Sequence, residues 1–162
     1  MITRLAKKSD LNRIVAIYNQ TIASRMVTAD TEEQSVASKQ AWFESHADKR
    51  PLYVMERDDE VVAWLSYKSF YGRPAYNGAV EIAIYVDENT RGQKLGQQFL
   101  DFALSLAPKL NINNYLAFIF SHNIPSIKLF EKNGFTKWGE LPDIAVMDNN
   151  LYSLTILGKK VE

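Results

Sequence analysis

The spacing of apolar residues near the start of the chain predicts one strand followed by a helix. Residues 2–6 combine the apolar Ile2, Leu5 and Ala6 with the polar Thr3 and Arg4, and we interpret them as a first strand. Ser9 or Asp10 can then cap a helix, because a side-chain oxygen there accepts from free backbone N–H groups. The apolar residues that follow recur at the spacing of one helix face; they are Leu11, Ile14, Val15, Tyr18 and Ile22.

The next segments predict a second helix and three strands. The helix is expected after the polar residues 28–35 and up to His46, and we expect it to bury Trp42 and Phe43. The runs LYVMER and EVVAWLSYKSF are separated by two aspartates, which indicates a β-hairpin. The loop YGRPAYNG then leads into a predicted strand over residues 79–86.

The second half of the chain begins with ENTRGQKLGQQFL, residues 88–100, which passes from a turn into a helix with one apolar face. Pro108 is expected to end that helix because proline lacks a backbone N–H. NYLAFIF is continuously apolar, as in a buried strand. A short helix follows, with Pro125 near its first turn and Asn133-Gly134 as its stop. FTKWGEL and NLYSLTIL predict two final strands.

The resulting order of elements is β α α β β β α β α β β. A block of consecutive strands followed by a βαβ unit indicates a mixed sheet. We therefore predict a mixed α+β fold, with a mainly antiparallel twisted central sheet flanked by helices on both faces. No linker or internal repeat divides the chain, so residues 1–162 are expected to form a single domain.

Composition narrows the classes of function. Lysine and arginine together number 19, as do aspartate and glutamate, so no overall charge favours nucleic acid as the main partner. The chain has no cysteine, which excludes disulfides and thiolate nucleophiles. No run of 18 apolar residues predicts a membrane span, and the N-terminus lacks the apolar segment of a signal peptide. We expect a cytoplasmic protein with neither a membrane nor a nucleic-acid partner.

The two glycines of RGQKLG, residues 91–96, lie between a predicted strand and a predicted helix. A helix N-terminus presents unpaired N–H groups and partial positive charge, and glycine lets a phosphate approach the backbone closely. Neither the dinucleotide fingerprint nor the P-loop pattern is present. By itself the motif is therefore compatible with an anion site or with an ordinary turn.

The motif gains meaning from its spacing to later features. Strand, RGQKLG, helix, strand, Asn123 and the Gly-Phe that closes the next helix occur in an order that resembles the GNAT superfamily of acyl-CoA-dependent N-acetyltransferases. GRPAYNGAVEIAIYV is similar to the phosphinothricin N-acetyltransferase group. The resemblance implies the GNAT fold, acetyl-CoA as co-substrate, no metal and a homodimer. It also implies acetyl transfer to a small amino acid or analogue, such as phosphinothricin or methionine sulfone or sulfoximine.

Glu81 is the candidate catalytic base. It is the one acid in the apolar strand GAVEIAIYV, and partial burial would raise its pKa toward neutrality. An attacking amine must first lose a proton, which requires such a base directly or through water. The resemblance places the base of the phosphinothricin group at this position. The alternative is an acid at the solvated start of an edge strand.

Cofactor-binding roles follow from the resemblance and from the backbone chemistry. Main-chain groups of the strand can pair with the amide-rich pantetheine arm as an added strand would, and the glycine loop can hold the phosphates. Asn123 is also well placed as a helix cap, and Lys94 replaces a family glycine, where it either contacts phosphate or points to solvent. The predicted residues are Ile84, Tyr85, Val86, Arg91, Gly92, Gln93, Lys94, Leu95, Gly96, Gln97, Asn123 and Lys132.

Substrate-binding roles are implied for two neighbouring segments. The predicted residues are Tyr71, Gly72, Arg73, Glu81, Ile82 and Ala83. Arg73 could hold a carboxylate through two hydrogen bonds, or it could be an ordinary loop arginine. The loop around Arg25, Met26 and Val27 is expected to close the site from the other side. The phosphinothricin group tends to carry an aromatic residue there, so phosphinothricin itself is not a firm expectation.

Two further positions bear on the chemistry. Phe130 stands where many GNAT enzymes have a tyrosine and cannot donate a proton, so we interpret it as a structural residue at a helix end. With no cysteine for an acyl-enzyme, we expect direct attack in a ternary complex. His46 is expected to be a surface residue, and His122 is expected to be a loop residue.

Alternative functions for the whole protein are a peptide N-terminal or protein lysine acetyltransferase, and a non-catalytic acyl-CoA-binding module.

Overall fold

The computed structural model describes residues 1–162. Seven strands form one sheet; they are β1 (Ile2–Leu5), β2 (Leu52–Arg57), β3 (Glu60–Ser69), β4 (Ala79–Val86), β5 (Asn114–Phe120), β6 (Thr136–Met147) and β7 (Asn150–Lys160). Five α-helices accompany them; they are α1 (Leu11–Asn19), α2 (Val36–Glu44), α3 (Leu95–Ser105), α4 (Ala107–Leu110) and α5 (Ile124–Lys132). No helix combines the length and the apolar character that crossing a bilayer requires.

The strands lie in the order β1-β2-β3-β4-β5-β7-β6. All neighbours pair antiparallel except β4 and β5, which are joined through α3 and α4 and pair in parallel. Asp58 and Asp59 both have positive φ, at 52° and 63°, as the tight turn of the β2–β3 hairpin requires. The mixed and mainly antiparallel sheet predicted from the order of elements is confirmed.

The one parallel pairing is short. Strand β4 pairs with β3 from Val80 to Val86, but its pairing with β5 ends at Glu81, which is opposite Leu116. Beyond that point the two strands separate. One backbone edge of residues 82–86 therefore lacks a strand neighbour in the middle of the sheet, which leaves its N–H and C=O groups free to bind something else.

Helices cover both faces of the sheet. On one face, α1 packs against the central strands in a cluster that contains Ile14, Ile17 and Trp64. On the other, α3 contributes Phe99 and Leu100 to the larger cluster, and both side chains are fully buried. Two layers of helix around one sheet follow from strands whose side chains are apolar on both faces.

Three local predictions were wrong. Helix α2 contains no fully buried residue, because Trp42 and Phe43 only partly cover the smaller cluster. Helix α1 ends at Asn19, so Ile22 is buried in the turn that follows. Pro108 does not end α3, which stops at Ser105; it lies in the first turn of α4, where no N–H is required.

Candidate active site

A groove of about 720 Å³ opens where β4 and β5 separate. Helix α3 and helix α5 form its walls, and part of the loop between α1 and α2 lies along it. Eleven of the twelve predicted cofactor-binding residues line it: Ile84, Tyr85, Val86, Arg91, Gly92, Lys94, Leu95, Gly96, Gln97, Asn123 and Lys132. Tertiary folding thus brings together residues from the strand, the glycine loop and α5.

The glycine loop presents a row of unused donors to this groove. None of the backbone N–H groups of residues 92–97 donates to an acceptor within the protein, whereas the next one, of Gln98, bonds to the Lys94 carbonyl oxygen. Gly92 has φ of +80°, and a Cβ built on it would meet no atom within 4 Å. The open space above Gly92 and the row of N–H groups fit a phosphate cradle at a helix N-terminus.

Lys94 has an unusual backbone conformation. It is left-handed, with φ of 60°, and precedes the first residue of α3. A left-handed conformation costs a residue with a side chain roughly 1–2 kcal/mol. The family glycine at this position therefore has a plain physical reason, and this chain tolerates a lysine there at a cost in folding free energy.

The charges of the groove have one sign. Arg91, Lys94 and Lys132 line it, and no aspartate or glutamate does. None of these three cations takes part in an ion pair of the structure. Unpaired cations beside free N–H groups favour binding of a polyanion such as a pyrophosphate.

The amide side chains around the groove are mainly structural. Gln97 and Asn133 exchange two hydrogen bonds, at 2.7 and 3.0 Å, which fasten the start of α3 to the end of α5. The Asn123 side chain accepts from Ser126 N at 3.4 Å, so it caps α5 while lining the groove. Gln93 is the predicted cofactor residue outside the groove, and its side chain accepts from Arg57.

Phe130 packs as a structural residue, as its sequence context indicates. Its ring meets Phe135 edge to face at 5.0 Å, and its carbonyl oxygen accepts from Phe135 N. The loop after α1 borders the groove with two of its three predicted residues. Met26 and Val27 face the groove, while Arg25 turns away and pairs with Asp148 in the β6–β7 turn at 2.9 Å.

Glu81 lies in a second and smaller cavity, of about 180 Å³, between α1, α2 and the strands β3 and β4. Four aromatic side chains wall it: Tyr18, Trp42, Trp64 and Tyr85. The rings of Trp64 and Tyr85 are stacked with centroids 4.4 Å apart, and Trp42 meets Trp64 edge to face at 5.3 Å. Such a wall is apolar and rigid, and it suits a small ligand.

The Glu81 carboxylate has the electrostatics of a base. Burial raises its pKa above the ordinary glutamate value, and the nearby charge of Lys68 opposes this shift. No ion pair of the structure includes Glu81. A partly buried carboxylate without a salt-bridge partner is available to take a proton from a ligand.

Sequence reasoning missed most of this cavity. Five of its lining residues come from three different elements, and only the folded structure shows that they belong to one cavity. They are Tyr18, Lys39, Trp42, Trp64 and Lys68. The alternation of side chains between the two faces of β3 and β4 could have identified the cavity residues that lie on these strands. Each residue at even spacing from Glu81 shares its face of the sheet.

His46 was expected to be a surface residue, and this prediction was wrong. Its Nδ1 donates to the Trp42 carbonyl oxygen at 3.0 Å, so its Nε2 accepts from the Ser66 hydroxyl at 2.9 Å. Burial lowers the pKa of His46, which keeps the ring neutral. Ser66 itself lines the Glu81 cavity, so the His46 ring supports that wall.

His122 is a loop residue, and its Nε2 donates to the Arg25 carbonyl oxygen at 2.8 Å.

The structure places the predicted substrate residues in three different surroundings. Glu81 and Ala83 line the aromatic-walled cavity. Tyr71, Gly72 and Arg73 are exposed in the loop after β3 and line neither this cavity nor the groove, and Tyr71 is 78% exposed. Ile82 points to the opposite face of the sheet, where it is buried in the larger core cluster.

Tyr85 is the one residue that lines both the groove and the aromatic-walled cavity. The backbone of β4 therefore borders the groove while side chains of the same strand form the floor of the cavity. Two ligands held in these two spaces would meet along β4. This arrangement is suited to group transfer between bound reactants.

The fold and the site define an acetyltransferase: the chain belongs to the GNAT acetyltransferases, since the model of the Acetyltransferase (GNAT) domain family matches residues 3–154. The predicted family is thereby confirmed, and the protein is an acetyl-CoA-dependent N-acetyltransferase, as predicted.

Individual relatives are similar over nearly the whole chain. Phosphinothricin acetyltransferase YwnH of Bacillus subtilis (strain 168), a provisional name, is 53% identical over 162 residues, with 99% of both chains covered. The L-methionine sulfoximine/L-methionine sulfone acetyltransferase of Pseudomonas paraeruginosa (strain DSM 24068 / PA7) is 29% identical over 156 residues, covering 95% of this chain and 91% of that one. A crystal structure of a provisionally named phosphinothricin N-acetyltransferase superposes with a TM-score of 0.97 at 52% identity, covering 99% and 98%.

Proposed function

We propose that this protein transfers the acetyl group of acetyl-CoA to the α-amine of a small amino acid or amino-acid analogue. Residues 1–162 act in this proposal as a single domain, in which one sheet carries both binding spaces. The observation that carries the proposal is the position of Glu81. Its carboxylate lies in a small cavity that meets the cofactor groove at Tyr85.

Acetyl-CoA fits the groove by charge and by hydrogen bonding. Its pyrophosphate would accept from the N–H groups of residues 92–97 and be neutralised by the unpaired cations Arg91, Lys94 and Lys132. The pantetheine amides would pair with the open edge of β4, at Ile84, Tyr85 and Val86, with Asn123 facing them across the groove. A main-chain N–H of β4 would also stabilise the charge that develops on the thioester oxygen.

The transfer proceeds by direct attack in a ternary complex. A proton passes from the acceptor ammonium to Glu81, and the freed nitrogen lone pair forms a bond to the thioester carbonyl carbon. The carbonyl electron pair moves onto oxygen and then returns, the C–S bond breaks, and CoA leaves as a thiolate while the nitrogen loses its second proton to solvent. Phe130 has no proton to give, so the thiolate takes its proton from solvent. The chain has no cysteine to carry an acyl-enzyme, which supports a single transfer step.

The size of the acceptor cavity favours a free amino acid over a peptide or a protein lysine. Its volume of about 180 Å³ is below the roughly 300–1,000 Å³ of sites for drug-sized ligands. Relatives are named for phosphinothricin and for L-methionine sulfoximine or sulfone, which are single amino-acid analogues. Tyr71, Gly72 and Arg73 lie outside this cavity, so their predicted contacts with the acceptor carry no part of the proposal.

The substitution Glu81→Gln tests the proposal. Glutamine keeps the shape of the side chain but cannot take the proton, so kcat with an amino-acid acceptor is expected to fall at least about 100-fold. Acetyl-CoA affinity, measured by calorimetry, should stay unchanged. Free thiol release across a panel of amino acids and their sulfone, sulfoximine and phosphinic analogues provides the rate.

Two outcomes would contradict the proposal. Unchanged turnover in Glu81→Gln would remove Glu81 as the base. Acetyl-CoA binding without thiol release for any member of the panel, by the wild-type protein, would favour a non-catalytic acyl-CoA-binding module.

A further inference from the structure

Lys68 lies directly across the sheet from Glu81. The two residues are Cα partners in the antiparallel pairing of β3 with β4, so their side chains leave the same face. Both line the aromatic-walled cavity. Lys68 belongs to no ion pair of the structure, which leaves its ammonium group without a carboxylate partner beside a site for a charged ligand.

The distance between the two partners restricts what Lys68 can contact. Opposite residues in an antiparallel pair have Cβ atoms roughly 4.5–5.5 Å apart. If the acceptor amine is at the Glu81 carboxylate, the group that reaches Lys68 must be attached close to that amine. In an amino acid, the α-carboxylate is separated from the amine by one carbon. It is therefore the substituent that spans this gap.

We propose that Lys68 binds the α-carboxylate of the acceptor, so that the enzyme selects α-amino acids with a free carboxylate. The inference rests on the proposed function, because it takes Glu81 as the point at which the amine is held. Lys68 is in this view a specificity-determining residue, and the amine and the carboxylate are bound by a pair of opposite charges across two strands.

Two other cations could be considered for this role. Arg73, which the family resemblance implies, is exposed in the loop after β3 and does not line the cavity. Lys39 lines the cavity, but its Nζ atom is over the Tyr18 ring, 5.3 Å from the centroid. Lys68 is the cation that shares a register position with Glu81.

The other residues that line the cavity indicate which acceptor side chains would fit. With the amine at Glu81 and the carboxylate at Lys68, the acceptor side chain extends toward Trp42 and Trp64. These rings favour an apolar or sulfur-containing chain, since sulfur and methylene groups both pack well against aromatic faces.

A pair of matched variants and a pair of matched ligands test the inference. Lys68→Met and Arg73→Met each remove one positive charge while keeping an unbranched side chain. L-methionine sulfone and its α-carboxamide differ only in the carboxylate. Binding is followed by tryptophan fluorescence in the presence of CoA, because Trp42 and Trp64 line the cavity. Thiol release, measured on the pH plateau of each variant, provides KM and kcat separately.

For the wild-type protein, the acid is expected to bind about tenfold or more tightly than the amide, since a charge-assisted contact is lost. In Lys68→Met the ratio should fall to about one, with KM for the acid raised and kcat little changed. Arg73→Met should keep the wild-type ratio. Thermal melts of both variants confirm that each is folded.

The inference is overturned if Lys68→Met keeps the wild-type ratio, if Arg73→Met alone abolishes it, or if the wild-type protein binds acid and amide equally. A failure of the proposed function would give a different result, in which L-methionine sulfone binds more tightly than its α-carboxamide but no thiol is released. Absence of binding by either ligand would overturn both.

Discussion

Glu81 combines two properties that conflict at neutral pH. Burial raises the pKa of its carboxyl, yet the proposed base must lose its proton to act. Keeping this buried carboxylate ionised for catalysis is therefore expected to reduce the stability of the folded protein. Lys68 on β3 lowers the pKa of Glu81 again, while Lys39, Tyr18 and Tyr85 are the other ionisable side chains around the cavity.

This conflict predicts that Glu81→Gln stabilises the protein at neutral and alkaline pH. Below the ordinary value of 4.5 the carboxyl is protonated in both folded and unfolded chains, so it contributes no difference. As the pH rises, the unfolded chain ionises first because the folded pKa is higher, and ionisation then favours unfolding. The variant should have the higher Tm at about pH 8, and the gap should close at about pH 4.

Thermal melts across this range measure the effect. The exposed Glu33→Gln serves as the matched control, and it should follow the wild-type curve at every pH. A wild-type protein that gains stability relative to Glu81→Gln as the pH rises would show that the carboxyl is stabilised in its charged form.

At the scale of elements, the segment between β4 and α3 determines cofactor binding. Its N–H groups are free because Gly92 and Lys94 both have positive φ, which turns the backbone toward the groove before the helix begins. A reciprocal amide pair, Gln97 with Asn133, then holds α3 against α5. The site is a property of backbone conformation, and the side chains around it mainly fix that conformation.

Two loop substitutions should therefore have different effects. Gly92→Ala is expected to lower the free energy of unfolding by about 1 kcal/mol, since alanine is strained at φ of +80°. It should also weaken acetyl-CoA binding about tenfold, because its methyl group occupies the space above the cradle. Lys94→Gly, the matched control, should fold at least as stably, since glycine suits φ of 60°.

Urea denaturation and calorimetry with acetyl-CoA report the two quantities. Full acetyl-CoA affinity in a folded Gly92→Ala variant would show that the phosphates do not approach this part of the loop.

At the scale of the whole molecule, the β6–β7 hairpin leaves an apolar surface. Ile144, Val146 and Leu151 are 60%, 65% and 60% exposed. Val146 is opposite Leu151, and Ile144 is two residues before Val146 on the same strand, so the three form one patch. A continuous apolar patch of this kind favours association, and we propose that a second copy of the chain covers it in a homodimer.

The double variant Val146→Glu with Leu151→Glu is expected to be a monomer, since each of the two chains would bury two charges at the interface. Sedimentation equilibrium should give the wild-type protein a mass near twice 18.5 kDa and the variant a mass near that of one chain. Ile2→Glu, at a residue that is 58% exposed on β1, controls for added charge alone. A wild-type mass of 18.5 kDa would contradict the homodimer.

The sequence by itself determined the elements and their order. Periodicity is a local signal, since burial of one face sets a period of two in strands and 3.6 in helices. The bounds of β4 and β5 were predicted to the residue, and so was the location of Gly92 between strand and helix. Glu81 was also recognisable, because one acid in an apolar strand is a local anomaly.

Only the tertiary structure decided which side chains surround Glu81. Tyr18, Trp42 and Lys68 are 63, 39 and 13 residues away from it in sequence, and they meet it through helix packing and strand register. The same folding excluded the Arg73 loop from the cavity and turned Lys94 into the left-handed region. These outcomes depend on long-range contacts, whose free energies no local pattern of apolar and polar residues records.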